Sequence, residues 1–448
     1  MASTSDTIAA IATAAGQGGV GIIRLSGSAA IDIALHMAQR TGAQTQTRHA
    51  HYATFKNADG DLLDTGLLLS FLAPHSYTGE NCAELQVHGA PAVLSQLLRE
   101  CVRLGARLAE PGEFTRRAYL NRKLDLNQAE AVADLIAASS ETAARAAVRS
   151  LSGEFSRHLH QLQDALTHLR LFTEATLDFP EEDIEFLVQE KVLDKTHQVE
   201  LALDKVLLSA RHGRKLNEGL AVVIAGAPNV GKSSLLNHLC GEDLAIVTPI
   251  AGTTRDSIKT HIEIEGVRIS LTDTAGLRDT TDVVERIGID RARSALASAD
   301  LIIALCEIGG HFVDPLPEGV PVLLVHNKAD LTPASSTDAA TPITADLAIS
   351  ARTGMGIDKL KRAMAEKLAL SGDHSEAFIA RARHVAALEN AAMELMAARL
   401  LWAEHSAPPL ELFAEHLRLA QASLSEILGE FSADDLLGEI FSRFCIGK

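Results

Sequence analysis

Apolar and polar positions change their rhythm three times along the chain. Over residues 1–120, short apolar runs (7–13, 19–26, 67–72 and 83–87) are separated by glycine-rich or polar clusters at 16–19, 57–61 and 78–81. Runs of this length between turn residues predict strands, so the segment reads as a small α+β domain. Over 121–215 glycine almost vanishes. In LDLNQAEAVADLIAASSETAARAAVRSL, residues 124–151, apolar side chains recur every three or four positions. That spacing predicts long amphipathic helices. From 216 to 373, the strand-like runs LAVVIAG, IEIEG, VRISLTD, LIIALCE and VPVLLVHNK alternate with helical patterns, which predicts a parallel sheet with helices on its faces. Residues 374–448 are helical again, with a break at Pro408 and Pro409. Neither helical half reads as a complete core. The predicted organisation is therefore multidomain: an α+β domain (1–120), a helical domain in two segments (121–215 and 374–448), and an α/β domain (216–373) inserted between them.

Composition narrows this picture. At ~150 residues per domain, 448 residues suit about three domains, and such a chain can bury ordinary cores without disulfides or structural zinc. The five cysteines are odd in number, widely spaced and contain no CxxC, which argues against a disulfide framework and for a reducing compartment. No histidine pair has the HExxH spacing of a zinc site. The formal charge of −17 excludes a generally basic nucleic-acid coat but leaves room for a local basic patch. The opening MASTSDTIAA has no basic n-region, and no run of ~18 uncharged apolar residues occurs. The expectation is a cytoplasmic protein with no membrane partner.

The chemistry lies in the third segment. LAVVIAG runs into Gly226-Ala-Pro-Asn-Val-Gly231-Lys232-Ser233 and then a helical pattern. This is the phosphate-binding loop in residues and in context, with a strand before and a helix after. Its backbone N–H groups, those of Asn229, Val230, Gly231 and Ser234 included, can wrap phosphates. Lys232 brings charge to the β- and γ-phosphates, and the Ser233 hydroxyl can bind Mg²⁺. Thr253-Thr254-Arg255-Asp256 follows, with Thr254 suited to Mg²⁺ and the γ-phosphate. Asp273-Thr274-Ala275-Gly276 ends an apolar strand, with Asp273 suited to the Mg²⁺ shell and the Gly276 amide to the γ-phosphate. Asn327-Lys328-Ala329-Asp330 ends another strand. A carboxylate at Asp330 can accept from the N1–H and 2-amino group of guanine, and adenine offers neither donor. Ser350-Ala351-Arg352 can add a backbone N–H for the guanine oxygen. In this order, the five elements predict a Mg²⁺–GTP site.

Leu277 stands where many small GTPases carry a water-orienting glutamine, and an aliphatic side chain cannot do that work. Charge on the transferring phosphoryl group still needs compensation. Arg255, Arg278 or a cation bound near Asn229 could supply it. Glu285 could position water through a second water. Taken from its residues alone, DVVERIG makes Glu285 a solvated carboxylate at a helix start.

Together, GAPNVGKSSLLN, TPIAGTTRD, DTAGLRDTTDVVERIGI, NKAD, SARTG and the terminal FCIGK resemble the MnmE (TrmE) family of tRNA modification GTPases. TIAAIATAAGQGGVGIIRLSG, YTGENCAELQVHG, PGEFTRRAYLN and KLDLNQAEAVADLI are similar to its other domains. The resemblance implies an N-terminal folate-binding-like domain that forms a homodimer, a helical domain, and an inserted Ras-like P-loop G domain. It implies 5-formyl- or 5,10-methylene-tetrahydrofolate held by Arg24, Glu84, Lys123 and Lys448. It implies K⁺ held by Asn229 with oxygens of Thr248, Ile250 and Thr253, and Mg²⁺ held by Ser233 and Thr254. Glu285 takes the water-orienting role, beside Asp273 and Lys232. Hydrolysis is coupled to G-domain dimerisation. With the FAD- and NADH-dependent partner subunit MnmG, an aminomethyl or carboxymethylaminomethyl group is added to C5 of the tRNA wobble uridine. Cys445, in the terminal signature, is expected to be a small buried residue near the folate site.

Other features carry less. Gly16-Gln-Gly-Gly-Val-Gly21 matches GxGxxG, but a strand follows where a dinucleotide fold needs a helix, so it reads as a turn. The terminal CIGK lacks the last residues of a prenylation box. Thr115-Arg116-Arg117 and Arg381-Ala-Arg383-His384 could touch tRNA phosphates, but with an acidic net charge they read as solvated helix faces. A competing function is a regulatory or ribosome-assembly GTPase, because a phosphate loop does not say what the switch controls. Folate binding separates the two.

Overall fold

The computed structural model describes residues 6–178, 185–242, 260–273, 293–308, 310, 312, 315–331, 346–368, 370, 377–404, 409–429, 440–442, 444, 445 and 447. The chain forms two compact units. One comprises Met1–Ile136, Arg149–Asp204 and Ala386–Lys448, and the other Ala137–Val148 and Lys205–Val385.

The first unit opens with a six-stranded sheet: β1 (Ile8–Ile11), β2 (Gly18–Ser26), β3 (His51–Lys56), β4 (Leu62–Phe71), β5 (Cys82–Gly89) and β6 (Arg107–Leu108), in the order β3-β4-β5-β2-β1-β6. All pairs are antiparallel except β1 with β6. Side chains alternate between the two faces of a strand. Ile23 and Leu25 of β2, with Phe55, Leu68, Leu85 and Val87, face a core closed by α1 (Ala30–Met37) and α2 (Pro91–Arg103) through Ile33, Met37, Leu94, Leu97 and Cys101. Arg24 of β2 lies opposite Glu84 of β5 in register and, by the same alternation, on the other face. There α3 (Glu113–Leu120) brings Phe114 into a small cluster with Ile8, Ala10 and Ala109. Of the GxGxxG glycines, Gly16 precedes β2 and Gly18, Gly19 and Gly21 lie within it, so a strand and not a helix carries the motif.

Four helices follow: α4 (Leu126–Ala137), α5 (Glu141–Leu151), α6 (Glu154–Asp178) and α7 (Glu185–Glu218). The second unit is built on β7 (Leu220–Gly226), α8 (Lys232–Glu242), β8 (Thr260–Ile264), β9 (Val267–Asp273), β10 (Leu301–Glu307), β11 (Val322–Asn327), β12 (Leu347–Ala348) and α9 (Ile357–Lys367). Its sheet order is β12-β11-β10-β7-β9-β8. The pairs are parallel, as the alternating pattern predicts, except that β8 runs antiparallel to β9. Glu265 and Gly266 take φ of 51° and 76° between the two strands. Two consecutive left-handed residues make the tight hairpin turn whose twist matches its strands. The parallel sheet expected from the sequence thus carries one antiparallel edge pair, formed at this Glu-Gly turn. The hairpin tip meets the start of α5: Ser140 Oγ donates to Gly266 O at 2.7 Å, and a Cβ on Gly266 would fall 2.1 Å from Thr142 Oγ1.

Among the described residues two long helices follow, α10 (Ala382–Glu404) and α11 (Leu410–Leu428), the second starting just after Pro409. α11 packs along α6, where Gln163 Nε2 donates to Ser425 Oγ at 2.9 Å and Arg170 donates to Gln421 Oε1 at 2.8 Å. The two helical stretches thus share one interface. Beyond α11, Ile440, Phe441 and Phe444 pack on Leu126 and Ala129. With those rings turned inward, Cys445 is left exposed. This corrects the expectation that it is buried; among the described residues of the terminal signature, Phe444 and Gly447 are the buried ones. Among the described residues, no helix is long and apolar enough to cross a membrane.

Candidate functional site

A parallel strand delivers its C-terminal residues to one edge of the sheet, where α/β proteins bind ligands. At that edge β7 passes into the phosphate loop. Leu305 of β10 pairs with Gly226, and Asp273, the last residue of β9, pairs with Ile224. Gly226 is required sterically, because a Cβ there would lie 2.4 Å from Leu305 O. Asn229 is exposed and left-handed, with φ 63°. Val230 is buried. Lys232 is 5% exposed, and its ammonium donates to Gly226 O and Ala227 O, both at 2.9 Å. The lysine is thus folded back over the loop, its charge beside the N–H groups that would meet phosphate. Ser233 and Ser234 are exposed in the first turn of α8.

The segments 327–330 and 350–352 are joined to this loop by one side chain. Asn327 is 3% exposed. Its Nδ2 donates to Val230 O at 2.8 Å, and its Oδ1 accepts the Ala351 N–H at 2.9 Å. A Cβ on Gly231 would lie 2.2 Å from that Nδ2, so the glycine makes room for the clamp. Asn327 therefore acts as a strut between the phosphate loop and the 350–352 loop. This role was not read from the sequence, where NKAD showed only its base-reading carboxylate. Lys328 is left-handed (φ 66°) and forms an ion pair with Glu307. Asp330 is exposed, open to a base edge. Ser350 is fully buried, and its backbone and hydroxyl hold the turn through Gly354 and Thr353. Arg352 is exposed. Thr248, Ile250, Thr253, Thr254, Thr274, Ala275, Gly276, Glu285 and the side chain of Asp273 lie outside the described residues, as do Arg255, Leu277 and Arg278.

The second group of predicted residues is in the N-terminal sheet. Arg24 Nε and one terminal nitrogen lie 3.0 Å from Glu84 Oε1. The guanidinium stands 5.5 Å from the centre of the Tyr77 ring and 5.9 Å from that of Phe114. A cation between two aromatic faces is held in place electrostatically. The pair presents donors beside acceptors, the pattern that reads a ring edge bearing both. Tyr77 Oη bonds Thr115 Oγ1 at 2.8 Å. Burial pushes its hydroxyl above the usual phenol range, against the opposing pull of that bond and of Arg24. Tyr77 and Phe114 were not predicted; only the fold brings them to Arg24. Lys123 is exposed in the turn after α3, and Lys448 lies outside the described residues.

Behind this pair stands a charged cluster. Arg117 bonds Asp6, Glu80 and Glu113, and Arg107 bonds Asp6 and Glu113. Arg117 is 7% exposed and Thr115 fully buried. The expectation of a solvated basic face is wrong at Arg117, because two turns of α3 face the sheet. Likewise His384 is buried at the start of α10.

Two family models cover most of the chain: the GTP-binding protein TrmE N-terminus over residues 7–123 and the MnmE helical domain over residues 126–445. A tRNA modification GTPase MnmE of Neisseria meningitidis serogroup C is 52% identical over 455 aligned residues, covering 100% of both chains. Those of Laribacter hongkongensis and Dechloromonas aromatica are each 52% identical, over 99% of this chain. The FeoB G domain of Methanococcus jannaschii is 24% identical over 34% of this chain, with a TM-score of 0.25, too low to carry weight. Full-length identity of this order, together with both domain models and the phosphate loop in its strand–helix setting, makes the chain a member of the tRNA modification GTPase MnmE family.

Proposed function

We propose that this GTPase hydrolyses GTP in a K⁺-dependent cycle coupled to G-domain dimerisation. The cycle serves modification of the tRNA wobble uridine together with MnmG, the partner subunit that carries FAD and NADH. The carrying observation is the Asn327 strut, which fixes the phosphate loop and the base loop to each other. A guanine nucleotide spanning the two would be read as one object. Lys232 would leave the carbonyls of Gly226 and Ala227 for the phosphates, while Asp330 would accept from the guanine edge. Asp273, at the end of β9 beside the loop, suits the Mg²⁺ shell, and Glu285 would orient the attacking water. When bound, Mg²⁺ at Ser233 and Thr254 and K⁺ at Asn229, Thr248, Ile250 and Thr253 supply positive charge to the phosphoryl oxygens. No arginine side chain is needed for that charge in this reading.

The donor–acceptor set of Arg24 and Glu84 fits the amide edge of a pterin. A 5-formyl- or 5,10-methylene-tetrahydrofolate held there, with Lys123 and Lys448, would provide the carbon added at C5 as part of an aminomethyl or carboxymethylaminomethyl group. Residues 1–120 would form the homodimer, and the working compartment is the cytoplasm. The boundaries 121–215, 216–373 and 374–448 stand as the proposed extents of the helical segments and the G domain.

The test compares GTP hydrolysis in K⁺ and in Na⁺ at equal ionic strength. The expected result is a rate at least about tenfold higher in K⁺, since one compensated charge is worth ~1.4 kcal/mol or more at the transition state. Equal, slow rates would remove the cation mechanism.

A further inference from the structure

Tyr77, whose ring covers Arg24, is also a wall of a second cleft. That cleft encloses about 440 Å³ and is lined by Arg48, Phe71, His75, Ser76, Tyr77 and Lys123. Half of its lining carries basic nitrogen and none of it carboxylate. Among the described residues neither Arg48 nor Lys123 forms an ion pair, in a chain whose net charge is −17. Both cations are held there by the backbone. Arg48 is left-handed, with φ 62°. Its amide donates to Ser70 O and its guanidinium to His75 O, each at 2.9 Å. One guanidinium contact leaves several of its five donors available. The amide of Lys123 donates to Ala118 O at 2.8 Å. Gly79 lets the lysine stem pass close, since a Cβ there would lie 3.2 Å from Lys123 Cγ. A non-glycine residue kept at positive φ is a local cost that surrounding structure must sustain. Here it fixes a cation at the cleft.

We propose that this cleft is a subsite for the γ-linked polyglutamate tail of the one-carbon carrier, with Arg48, His75 and Lys123 receiving the tail carboxylates while Arg24 and Glu84 hold the ring edge. The proposal rests on the folate reading given above and specifies the form of carrier that the site selects. Tyr77 joins the two halves: one ring bounds both the ring-edge pair and the anion cleft. A flexible chain of carboxylates suits an open, cationic wall better than a closed pocket, because each added residue can pair without being desolvated. A nucleic-acid backbone is the less fitting polyanion. It calls for a stripe of cations along a face, whereas this cleft is compact and adjoins the ring-edge pair.

Calorimetry on the full chain with 5-formyl-tetrahydrofolate as monoglutamate and as triglutamate tests this. The triglutamate is expected to bind about fivefold more tightly, the sum of exposed charge pairs, and the advantage should shrink with added salt. Arg48→Gln should lower triglutamate affinity more than monoglutamate affinity and so reduce the ratio between them, while an unchanged thermal unfolding transition reports that the variant is folded. His75→Gln should reduce the same ratio. Equal affinities for both forms in the native chain would overturn the tail site while leaving the folate reading intact. Binding of neither would overturn the folate reading and the tail site with it. A native ratio retained by Arg48→Gln, accompanied by weakened tRNA binding, would assign the cleft to phosphate and overturn the proposal.

Discussion

At the scale of single residues, the nucleotide site divides its labour between Asn327 and Asp330. Asn327 is spent on two protein contacts, Val230 O and the Ala351 amide. Asp330 is exposed and, in the function proposed above, reads the base. An acceptor-only carboxylate selects a ring with two adjacent donors. Replacing it by an amide that can also donate should favour xanthine, which has a carbonyl where guanine has an amino group. Asp330→Asn should therefore weaken GTP by roughly 10²-fold, the loss of two charge-assisted bonds, and improve xanthosine triphosphate relative to GTP. Competition binding with the two nucleotides checks this. Unchanged preference would mean that the base is read elsewhere.

At the scale of elements, the β8–β9 hairpin and the start of α5 behave as one piece. Ser140 Oγ accepts the Ala143 N–H at 3.1 Å and donates to Gly266 O at 2.7 Å. It caps a helix and docks a turn at once. Ser140→Ala should cost about 1–2 kcal/mol, combining a lost cap with an unsatisfied carbonyl, and thermal unfolding should show the lowered transition. Ser140→Asn, which restores a cap, should recover part of it. This contact explains what the sequence could and could not disclose. LAVVIAG and LIIALCE were legible as strands because continuous apolar runs mark buried parallel pairing, VRISLTD because its apolar residues alternate, and GAPNVGKS was legible because its chemistry is local. The hairpin was legible in principle from Glu265-Gly266. The seat of Gly266 on Thr142, 124 positions away in sequence, was not, because long-range packing leaves no periodic trace. The same holds for Tyr77 and Phe114 around Arg24 and for the inward turn of Arg117. Cys445 was misjudged because residue type suggested burial, whereas the neighbouring Phe441 and Phe444 decided which side chains point in.

At the scale of the whole molecule, the N-terminal strands, the loop before β5 and α3 are stitched by two arginines and three carboxylates. Burial alone would raise the carboxyl groups of Asp6 and Glu113. Hydrogen bonds and charge from Arg107 and Arg117 outweigh it and hold both below their ordinary values of 3.8 and 4.5. A carboxyl depressed in the folded state stabilises above its ordinary value and loses that contribution as pH falls through the folded value. The protein should keep this contribution at neutral pH and lose it progressively in acid, below the ordinary carboxylate range. Arg117→Met should cost about 3 kcal/mol near pH 7, as for one partner removed from a buried pair, with a shallower acid dependence. Urea midpoints measured across acid and neutral pH, for the native chain and the variant, check both slopes. An identical acid slope would show that the cluster carries no linkage.

The second unit has its own long-distance property. β9 spans only seven residues between the Gly266 turn and Asp273, about 23 Å of nearly inextensible backbone. One end is pinned beneath a helix and the other ends alongside Ile224, just ahead of the phosphate loop. Such a rod has little slack, so the position of Asp273 and the seat of the Gly266 turn on α5 are mechanically linked.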